Sequence, residues 1–230
     1  MAASHSKRVT IAIDGPSGAG KSTIARRLAE RLGFIYIDTG AMYRAVALWA
    51  HRQKIDAADM HRVEQLALAA DIRLAPGRIS LNGEDVTEAI RTPEVTSGAS
   101  KIAVLPAVRR AMVAKQRAMG EISSVVMEGR DIGTVVFPDA AVKIFLDANP
   151  AERVRRRLQE VRAKGENVDE TLLAAQMEER DRRDSTRSDA PLAQAPDAIY
   201  LDSTALGIDE VEEAVLKLVR QRISNGKEFS

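Results

Sequence analysis

Short apolar runs alternate with helical patterns along most of this chain. After the first run, apolar residues recur at helical spacing at Ile24, Leu28 and Leu32, which predicts an amphipathic helix. The runs themselves are too short for helices and indicate buried strands at residues 9–14, 34–38, 124–128, 142–146 and 198–201. This alternation predicts an α/β fold in three layers, with a central parallel sheet covered by helices on both faces.

One segment departs from the alternation and predicts a second, smaller sheet. Residues 71–86 have apolar positions at every second residue on either side of Pro76 and Gly77. A further turn at Asn82 and Gly83 precedes a short third run. Period-two runs joined by such turns are typical of antiparallel strands. We therefore expect an inserted antiparallel β-meander that lies outside the parallel sheet.

Helix-start signals mark the far side of this insertion. Thr92, Pro93 and Glu94 supply an N-cap, a first-turn proline and a first-turn acid, and Pro106 starts the next helix. We therefore predict an inserted subdomain at 56–103, a core domain that comprises 8–55 and 104–224, and flexible polar tails at 1–7 and 225–230.

A complete phosphate-binding loop follows the first predicted strand. Its spacing is G-x-x-x-x-G-K-S/T, and a helical pattern opens at its lysine. A strand, a glycine-rich turn and a helix in this order place backbone N–H groups around a phosphate at the positive end of the helix. The loop therefore predicts that the chain binds a nucleoside triphosphate. Its residues are Gly15, Pro16, Ser17, Gly18, Ala19, Gly20, Lys21, Ser22 and Thr23.

Two side chains of this loop have specific expected roles. Lys21 is expected to reach the β- and γ-phosphates of the triphosphate. The hydroxyl of Ser22 is expected to ligate Mg²⁺, which prefers oxygen ligands and is commonly shared with substrate phosphates. These two residues define the donor half of the predicted site.

Composition removes several classes of function. The 34 lysines and arginines nearly balance the 33 aspartates and glutamates, so no overall charge favours nucleic acid. The chain has no cysteine, which excludes disulfides and thiolate metal sites. No apolar stretch approaches the ~18 residues of a membrane span, and the start of the chain lacks an apolar signal core. We expect a cytoplasmic protein that works without nucleic acid or membrane.

Arginines are concentrated where ligands bind in parallel sheets. Arg130 directly follows a predicted strand, and ligands bind beyond the carboxyl ends of such strands. On a predicted helix at 169–189, Arg180, Asp184 and Arg187 are spaced by four and three residues. This spacing places all three side chains on one helix face.

A second arginine cluster lies on a predicted helix at 150–164, which carries only two acidic residues. A basic helix of this kind serves either as a mobile phosphate clamp or as a nucleic-acid face. Nucleic-acid surfaces usually interleave aromatic side chains with the basic ones, whereas only 3% of this chain is aromatic. The composition favours the phosphate clamp.

This arginine-rich pattern suits transfer of a phosphoryl group to another phosphate. Such an acceptor oxygen is already anionic and needs no general base, so the chemical problem is to align and neutralise roughly six negative charges. Lys21 together with several arginines suits that task. An alcohol acceptor would instead require a poised carboxylate or histidine.

Five segments in this order strongly resemble the bacterial cytidylate kinase family: residues 14–21, 38–44, 90–95, 128–134 and 179–184. The similarity extends over residues 8–220, and the run Gly-Arg-Asp-Ile-Gly-Thr at 129–134 is its most specific part. The resemblance implies a P-loop kinase that transfers the γ-phosphate of ATP to CMP or dCMP. It also implies a monomer with a nucleoside-monophosphate-binding insert and a short helical lid at 150–167.

For the acceptor nucleotide, the resemblance implies ten binding residues: Thr39, Tyr43, Arg44, Ser100, Arg109, Arg130, Asp131, Arg180, Asp184 and Arg187. Within this set, three arginines, at positions 44, 130 and 187, correspond to those that hold the CMP phosphate. Ser100, Arg109 and Asp131 correspond to the residues that recognise cytosine, and Arg180 with Asp184 to the pair that contacts the sugar.

For catalysis and the lid, the resemblance implies further arginines beside Lys21 and Arg130. Arg153, Arg156 and Arg157 fall in the lid and are expected to close over the triphosphate; the expected catalytic residues are Lys21, Arg130, Arg153 and Arg157. Glu128, at a strand end, either orders Mg²⁺-bound waters or serves as a structural partner of Arg130 or of a helix end.

Two other functions stay open on the sequence alone. One is a phosphate-loop kinase for a different acceptor, such as UMP, AMP or a metabolite alcohol. The other is a regulatory NTPase switch or a nucleic-acid-binding protein. A GTPase switch should contain the guanine-reading motif Asn-Lys-x-Asp, and this sequence does not. Nucleic-acid binding would appear as a steeply salt-dependent affinity for oligonucleotides.

Overall fold

A computed structural model describes residues 8–163, 165 and 167–225 of the chain. The predicted tails at 1–7 and 225–230 lie outside these residues, apart from Asn225, which ends the last helix. Two residues of the predicted lid, Lys164 and Glu166, also lie outside them.

The secondary structure follows the predicted alternation, with one antiparallel interruption. In chain order the elements are β1 (Thr10–Asp14), α1 (Lys21–Leu32), β2 (Ile35–Asp38), α2 (Thr39–Arg52), α3 (Met60–Ala69), β3 (Ile72–Ala75), β4 (Arg78–Leu81), β5 (Glu84–Asp85), a 3₁₀ turn (Ala89–Arg91), α4 (Pro93–Ile102), α5 (Pro106–Gly120), β6 (Val125–Gly129), a π-helical turn (Ile132–Val136), β7 (Val142–Asp147), α6 (Pro150–Ala163), α7 (Glu170–Thr186), β8 (Ile199–Asp202) and α8 (Ile208–Asn225).

The central sheet has five parallel strands in the order β2-β6-β1-β7-β8. Each strand lies within two residues of its predicted position. Every residue of β6 is buried, because helices cover both faces of the sheet. The register aligns Asp14 with Gly129 and Asp38 with Glu128. Polar strand ends that are far apart in sequence therefore meet at one edge of the sheet.

The predicted meander is the small antiparallel sheet β3-β4-β5. Its inward side chains, such as Ile79, join one apolar cluster with Val95 of α4, Ala45 of α2 and Met112 of α5. The inserted segment therefore packs directly on two helices that flank it in the sequence. Its boundaries at 56–103 stay a prediction.

Helices α6 and α7 pack against each other through Leu158, Leu173 and Met177. The helix predicted at 169–189 is too long, because α7 ends at Thr186 and Arg187 has an extended backbone. The chain folds back there, since the N–H of Leu192 donates to the carbonyl of Asp184 at 2.8 Å. Arg187 therefore reaches its neighbours from the end of the helix and not from a helical face.

The phosphate loop lies against β7 so closely that only glycine fits at its first position. Gly15 has a φ of +149°, and a Cβ built there would lie 1.9 Å from the carbonyl oxygen of Leu146. Because the backbone fixes the position of a Cβ and the oxygen belongs to the main chain of Leu146, a side-chain rotation cannot relieve the overlap. This contact fixes where the loop leaves the sheet.

We expect Gly15→Ala to destabilise the fold far more than a matched substitution at Gly33. Gly33 also has a positive φ, of +67°, but has open space around the position of a Cβ. Gly33→Ala should lower the free energy of unfolding by about 1 kcal/mol from backbone strain alone. Gly15→Ala should lower it by at least about 2 kcal/mol more. Urea denaturation of both variants tests this, and equal losses would contradict the account.

Candidate active site

The lysine of the phosphate loop is buried at the carboxyl edge of the sheet. Its ammonium group donates to the carbonyl oxygen of Pro16 at 2.6 Å. Burial, together with the nearby charge of Arg130, lowers the pKa of Lys21 to about 7, although the charge of Glu128 opposes the shift. A cation in such surroundings gains stability when an anion binds beside it.

Oxygen donors lie beside the lysine. The Ser22 hydroxyl donates to the Glu128 carboxylate at 2.9 Å, and the Tyr36 hydroxyl bonds the same carboxylate. Burial and the negative charge of Asp38 raise the pKa of Glu128. A hydroxyl and a carboxylate are ligands that suit Mg²⁺. The Glu128 carboxylate lies beside the Ser22 hydroxyl. These two oxygen donors fit the predicted role of Glu128 in ordering Mg²⁺-bound waters, which stays a prediction.

A cleft opens beyond the carboxyl ends of β2 and β6, bordered by α2, α4, α5 and α7. All ten residues predicted to bind the acceptor nucleotide line this one cleft. Gly40, Thr96, Ala99, Ala103 and Gly129 complete its wall. Residues from α2, α4, α5, the end of β6 and α7 therefore converge in a single site, on the same edge of the sheet as Lys21.

Carboxylates hold the arginines of the cleft in place. Arg130 donates through Nε to Asp184 at 2.8 Å, and Arg44 donates to Asp38 at 2.8 Å. Asp131 lies between two guanidinium groups: Arg109 bonds it directly and Arg187 approaches it at 3.5 Å. The side chains of Arg109 and Arg187 are only 3% and 4% exposed. These guanidinium groups are held in fixed orientations before any ligand binds.

The cleft carries an excess of positive charge at its centre. Burial, together with the neighbouring charge of Arg130, lowers the pKa of Arg180 to about 10. Burial and Arg109 likewise lower the pKa of Arg187. The Ser100 hydroxyl and the Arg180 Nε are buried without a hydrogen-bond partner among the described residues. Buried polar atoms of this kind usually have a partner, so both observations indicate a site for an anionic, hydrogen-bonding ligand.

Two of the ten residues contribute mainly to the frame of the cleft. Thr39 donates through its hydroxyl to the carbonyl oxygen of Glu128 at 2.7 Å, which ties α2 to β6. Tyr43 lines the cleft one helical turn further on, and burial raises its pKa to about 12. Its hydroxyl is therefore protonated at neutral pH.

The helix pair α6–α7 lies directly on the phosphate loop. Arg153 is buried and donates to the Ser17 carbonyl at 3.1 Å and to the Ala148 carbonyl at 2.9 Å. It also bonds the carboxylate of Asp181 on α7, which accepts from the Ser17 N–H at 3.3 Å. This interaction joins the loop to both helices. Asp181 lies in the family-like segment 179–184, but the sequence analysis gave it no role because nothing in its spacing predicts these contacts.

The remaining lid arginines differ in where they point. Arg156 donates to the hydroxyl of Ser203 at 3.0 Å and to its carbonyl at 2.6 Å. It also approaches the Ala19 carbonyl of the loop at 3.5 Å. Arg157 is half-exposed and pairs with Glu160 at 2.9 Å. The structure therefore brings Arg153 and Arg156 to the loop but not Arg157, whose catalytic role stays a prediction.

One strand-end carboxylate connects the two halves of the site. Asp14 is the last residue of β1 and accepts hydrogen bonds from the backbone N–H groups of Ile132 and Gly133 at 2.8 and 2.7 Å. Burial raises the pKa of Asp14 to about 6, although both hydrogen bonds favour its charged form. In the sequence, Asp14 is only the first residue of the family-like segment 14–21, with no sign of these partners.

Comparison with known proteins decides between the remaining interpretations. The sequence model of the cytidylate kinase family matches residues 11–221. The chain belongs to the cytidylate kinase family. It is 74% identical over 232 residues to a cytidylate kinase from Solibacter usitatus, with all of both chains covered. It is 50% identical over 220 residues to a cytidylate kinase from Syntrophotalea carbinolica, with 94% of each covered.

The solved structures agree on the fold. A gluconokinase from Sinorhizobium meliloti superposes with a TM-score of 0.51 at 15% identity, over 97% of this chain and 99% of that one. This likeness shows the fold alone, since the identity is low. The resemblance, the α/β fold with its central parallel sheet and the kinase activity are thereby confirmed.

Phosphoryl transfer from ATP to CMP is the activity of this family, and the chain is an ATP-dependent nucleoside monophosphate kinase. This sets aside the switch and nucleic-acid alternatives left open by the sequence. In the part of the chain that the structure describes, every helix is too short or too polar to cross a bilayer.

The lowered pKa of Lys21 predicts how the kinase responds to pH. The lysine must be protonated to bind a triphosphate, and in the free enzyme it loses its proton as the pH rises through about 7. We therefore expect kcat/KM for ATP, measured with CMP far below its own KM so that the starting enzyme carries no nucleotide, to fall about tenfold per pH unit above that value.

The turnover number provides an internal control for that profile. Bound triphosphate should raise the pKa of Lys21, so kcat should stay constant to a higher pH than kcat/KM does. Parallel profiles for both parameters between about pH 6 and pH 9, or a flat kcat/KM, would contradict the assignment.

Proposed function

We propose that this kinase transfers the γ-phosphoryl group of ATP to CMP or dCMP by in-line displacement, in the cleft between the phosphate loop and α4. The observation that supports the substrate site most directly is the convergence of all ten predicted acceptor residues in one cleft. The donor loop and this cleft share one edge of the parallel sheet, where ligands bind in such folds. The two nucleotides can therefore meet end to end.

On the donor side, the loop backbone and Lys21 would hold the phosphates of ATP. Ser22 and Glu128 are the residues that would hold Mg²⁺ or its waters. Among the described residues no cluster of three or more acidic, histidine or cysteine side chains could hold a metal by itself. Mg²⁺ would thus bind together with the phosphates, and its chemical contribution is to neutralise their charge.

The acceptor phosphate would bind Arg44, Arg130 and Arg187. In the free enzyme Arg130 and Arg44 are held by Asp184 and Asp38, so their guanidinium groups are already oriented toward the cleft. A phosphate bound in the cleft would give these guanidinium groups, which repel one another, a further anionic partner. Because its oxygen is already anionic, the attack requires alignment and charge neutralisation and no general base.

The base would be recognised by Ser100, Arg109 and Asp131. A carboxylate accepts a hydrogen bond from the exocyclic amino group of cytosine. Uracil has a carbonyl oxygen at that position, which would face the negative charge of Asp131 without a proton between them. The hydroxyl of Ser100, which has no partner among the described residues, is available to bond a ring atom. These groups support a preference for cytosine over uracil.

The sugar would lie against Arg180 and Asp184. Asp184 is already bound to Arg130, and the Nε of Arg180 has no partner among the described residues. The sugar and phosphate contacts therefore share one network of charges. We include dCMP among the substrates because the phosphate and base contacts do not involve the 2′-hydroxyl group.

The lid and the oligomeric state complete the proposal. Arg153 and Arg156 already contact carbonyl groups of the phosphate loop, so a small movement of α6 would bring them to the triphosphate and exclude water. One chain supplies every proposed contact, and we therefore propose a monomer that works in the cytoplasm with small-molecule substrates only.

The direct test of this function is ADP release with a panel of acceptors. We expect CMP and dCMP to be phosphorylated, with kcat/KM for CMP at least about tenfold above that for UMP. AMP and glycerol should give no release above the rate without an acceptor. A panel in which UMP or AMP equals CMP would contradict the proposed recognition of cytosine.

We expect Arg130→Ala to lower kcat/KM for CMP by about 10²–10³-fold, because it removes a charge that stabilises the transferring phosphoryl group. The matched control is Arg182→Ala on α7, since Arg182 is exposed and bonds Glu179 at 2.9 Å. Steady-state kinetics of both variants tests this. Equal, small effects would remove Arg130 from the site.

A further inference from the structure

The segment that carries Arg130 and Asp131 ends in a π-helical turn, Ile132–Val136. The first N–H groups of a helix have no partner within it and need an acceptor from outside. An aspartate just before the helix is among the residues that most often supply one. Asp131 occupies that position, yet its side chain makes no capping hydrogen bond.

The Asp131 carboxylate instead accepts hydrogen bonds from the guanidinium groups of Arg109 and Arg187 in the cleft. The acceptor that the turn needs comes from a different strand. The two carboxylate oxygens of Asp14, at the end of β1, each accept one N–H, from Ile132 and from Gly133. Capping of the turn and the proposed recognition of the base are thus divided between two carboxylates.

We propose that Asp14 is a positioning residue for base selection: it caps the turn in place of Asp131 and so leaves Asp131 facing the acceptor base. The inference rests on the proposed function, in which Asp131 reads cytosine. Asp14 itself is buried and is not among the residues that line the cleft. Its influence on the base therefore passes through Asp131.

Asp14 would have this influence because two sets of groups compete for the Asp131 carboxylate: the N–H groups of the turn, and Arg109 with the base. If Asp14 no longer accepts from Ile132 and Gly133, two buried N–H groups lose their partner, and such groups are strongly unfavourable when unpaired. Asp131 directly precedes them in the chain. It would turn toward the helix as an ordinary N-cap, away from Arg109 and from the base.

The test is the ratio of kcat/KM for CMP to that for UMP in Asp14→Asn, Asp131→Ala and the double variant. The introduced asparagine keeps the shape of aspartate, but its amide oxygen accepts from one N–H while its NH₂ group faces the other. We expect Asp14→Asn to lower the ratio at least about fivefold and to change KM for ATP less than about threefold. Asp131→Ala should lower the ratio further, and adding Asp14→Asn to it should change the ratio no more.

A matched control is Asp59→Asn at the N-cap of α3, where Asp59 accepts from a single N–H, that of Arg62 at 3.2 Å, which the amide oxygen of asparagine can still bond. This cap lies outside the cleft, so the ratio should not change. If Asp14→Asn fails to fold by circular dichroism, Asp14→Ser takes its place, because its hydroxyl still accepts one N–H from a smaller side chain.

The outcomes separate this inference from the proposed function. If Asp131→Ala lowers the ratio and Asp14→Asn leaves it unchanged, the inference is wrong, and the proposed recognition of cytosine by Asp131 is supported. If Asp131→Ala leaves the ratio unchanged, Asp131 does not recognise cytosine, and the inference about Asp14 fails as well. If Asp14→Asn raises KM for ATP without changing the ratio, Asp14 supports the phosphate loop alone and the inference is overturned. If Asp14→Asn lowers the ratio further in the double variant, Asp14 does not act through Asp131 and the inference is likewise overturned.

Discussion

The mutual repulsion of buried cations is the constraint on which this site depends. Lys21 and the arginines of the cleft lie at one edge of the sheet, and the charge of Arg130 helps to lower the pKa of both Lys21 and Arg180. Without ligand, carboxylates such as Asp184 and Asp131 offset part of this repulsion. The remaining positive charge favours phosphate. Binding of two phosphorylated nucleotides therefore relieves a cost that the empty site already carries.

The parallel sheet makes this concentration of charge possible. It brings the ends of β1, β2 and β6 together in register, so that residues far apart in sequence share one edge. Main-chain contacts then fix the segments that leave this edge, as Asp14 does for the turn after Arg130. Asp181 does the same for the phosphate loop and the helices above it. The cations are thus held on elements whose own backbone groups are satisfied.

Most of the fold and of the site could be predicted because both depend on local patterns. Apolar runs located the five parallel strands, and the turn at Pro76 and Gly77 located the meander. The family resemblance named ten residues that line one cleft in the structure. The structure corrected what depends on tertiary contacts. Helix α7 ends at Thr186 because the chain folds back onto Asp184, and Asp14 and Asp181 bond backbone groups that carry no sequence signature. Arg157 is four residues, about one helical turn, from Arg153 on α6, yet it pairs with Glu160 and does not contact the phosphate loop.

The central claim is that one cleft holds the acceptor phosphate by its arginines and the base by Asp131. A crystal structure of the protein with CMP tests it most directly. The account predicts phosphate oxygens within hydrogen-bonding distance of Arg44, Arg130 and Arg187, and the cytosine amino group beside the carboxylate of Asp131. CMP bound elsewhere, or bound with its base away from Asp131, would contradict it.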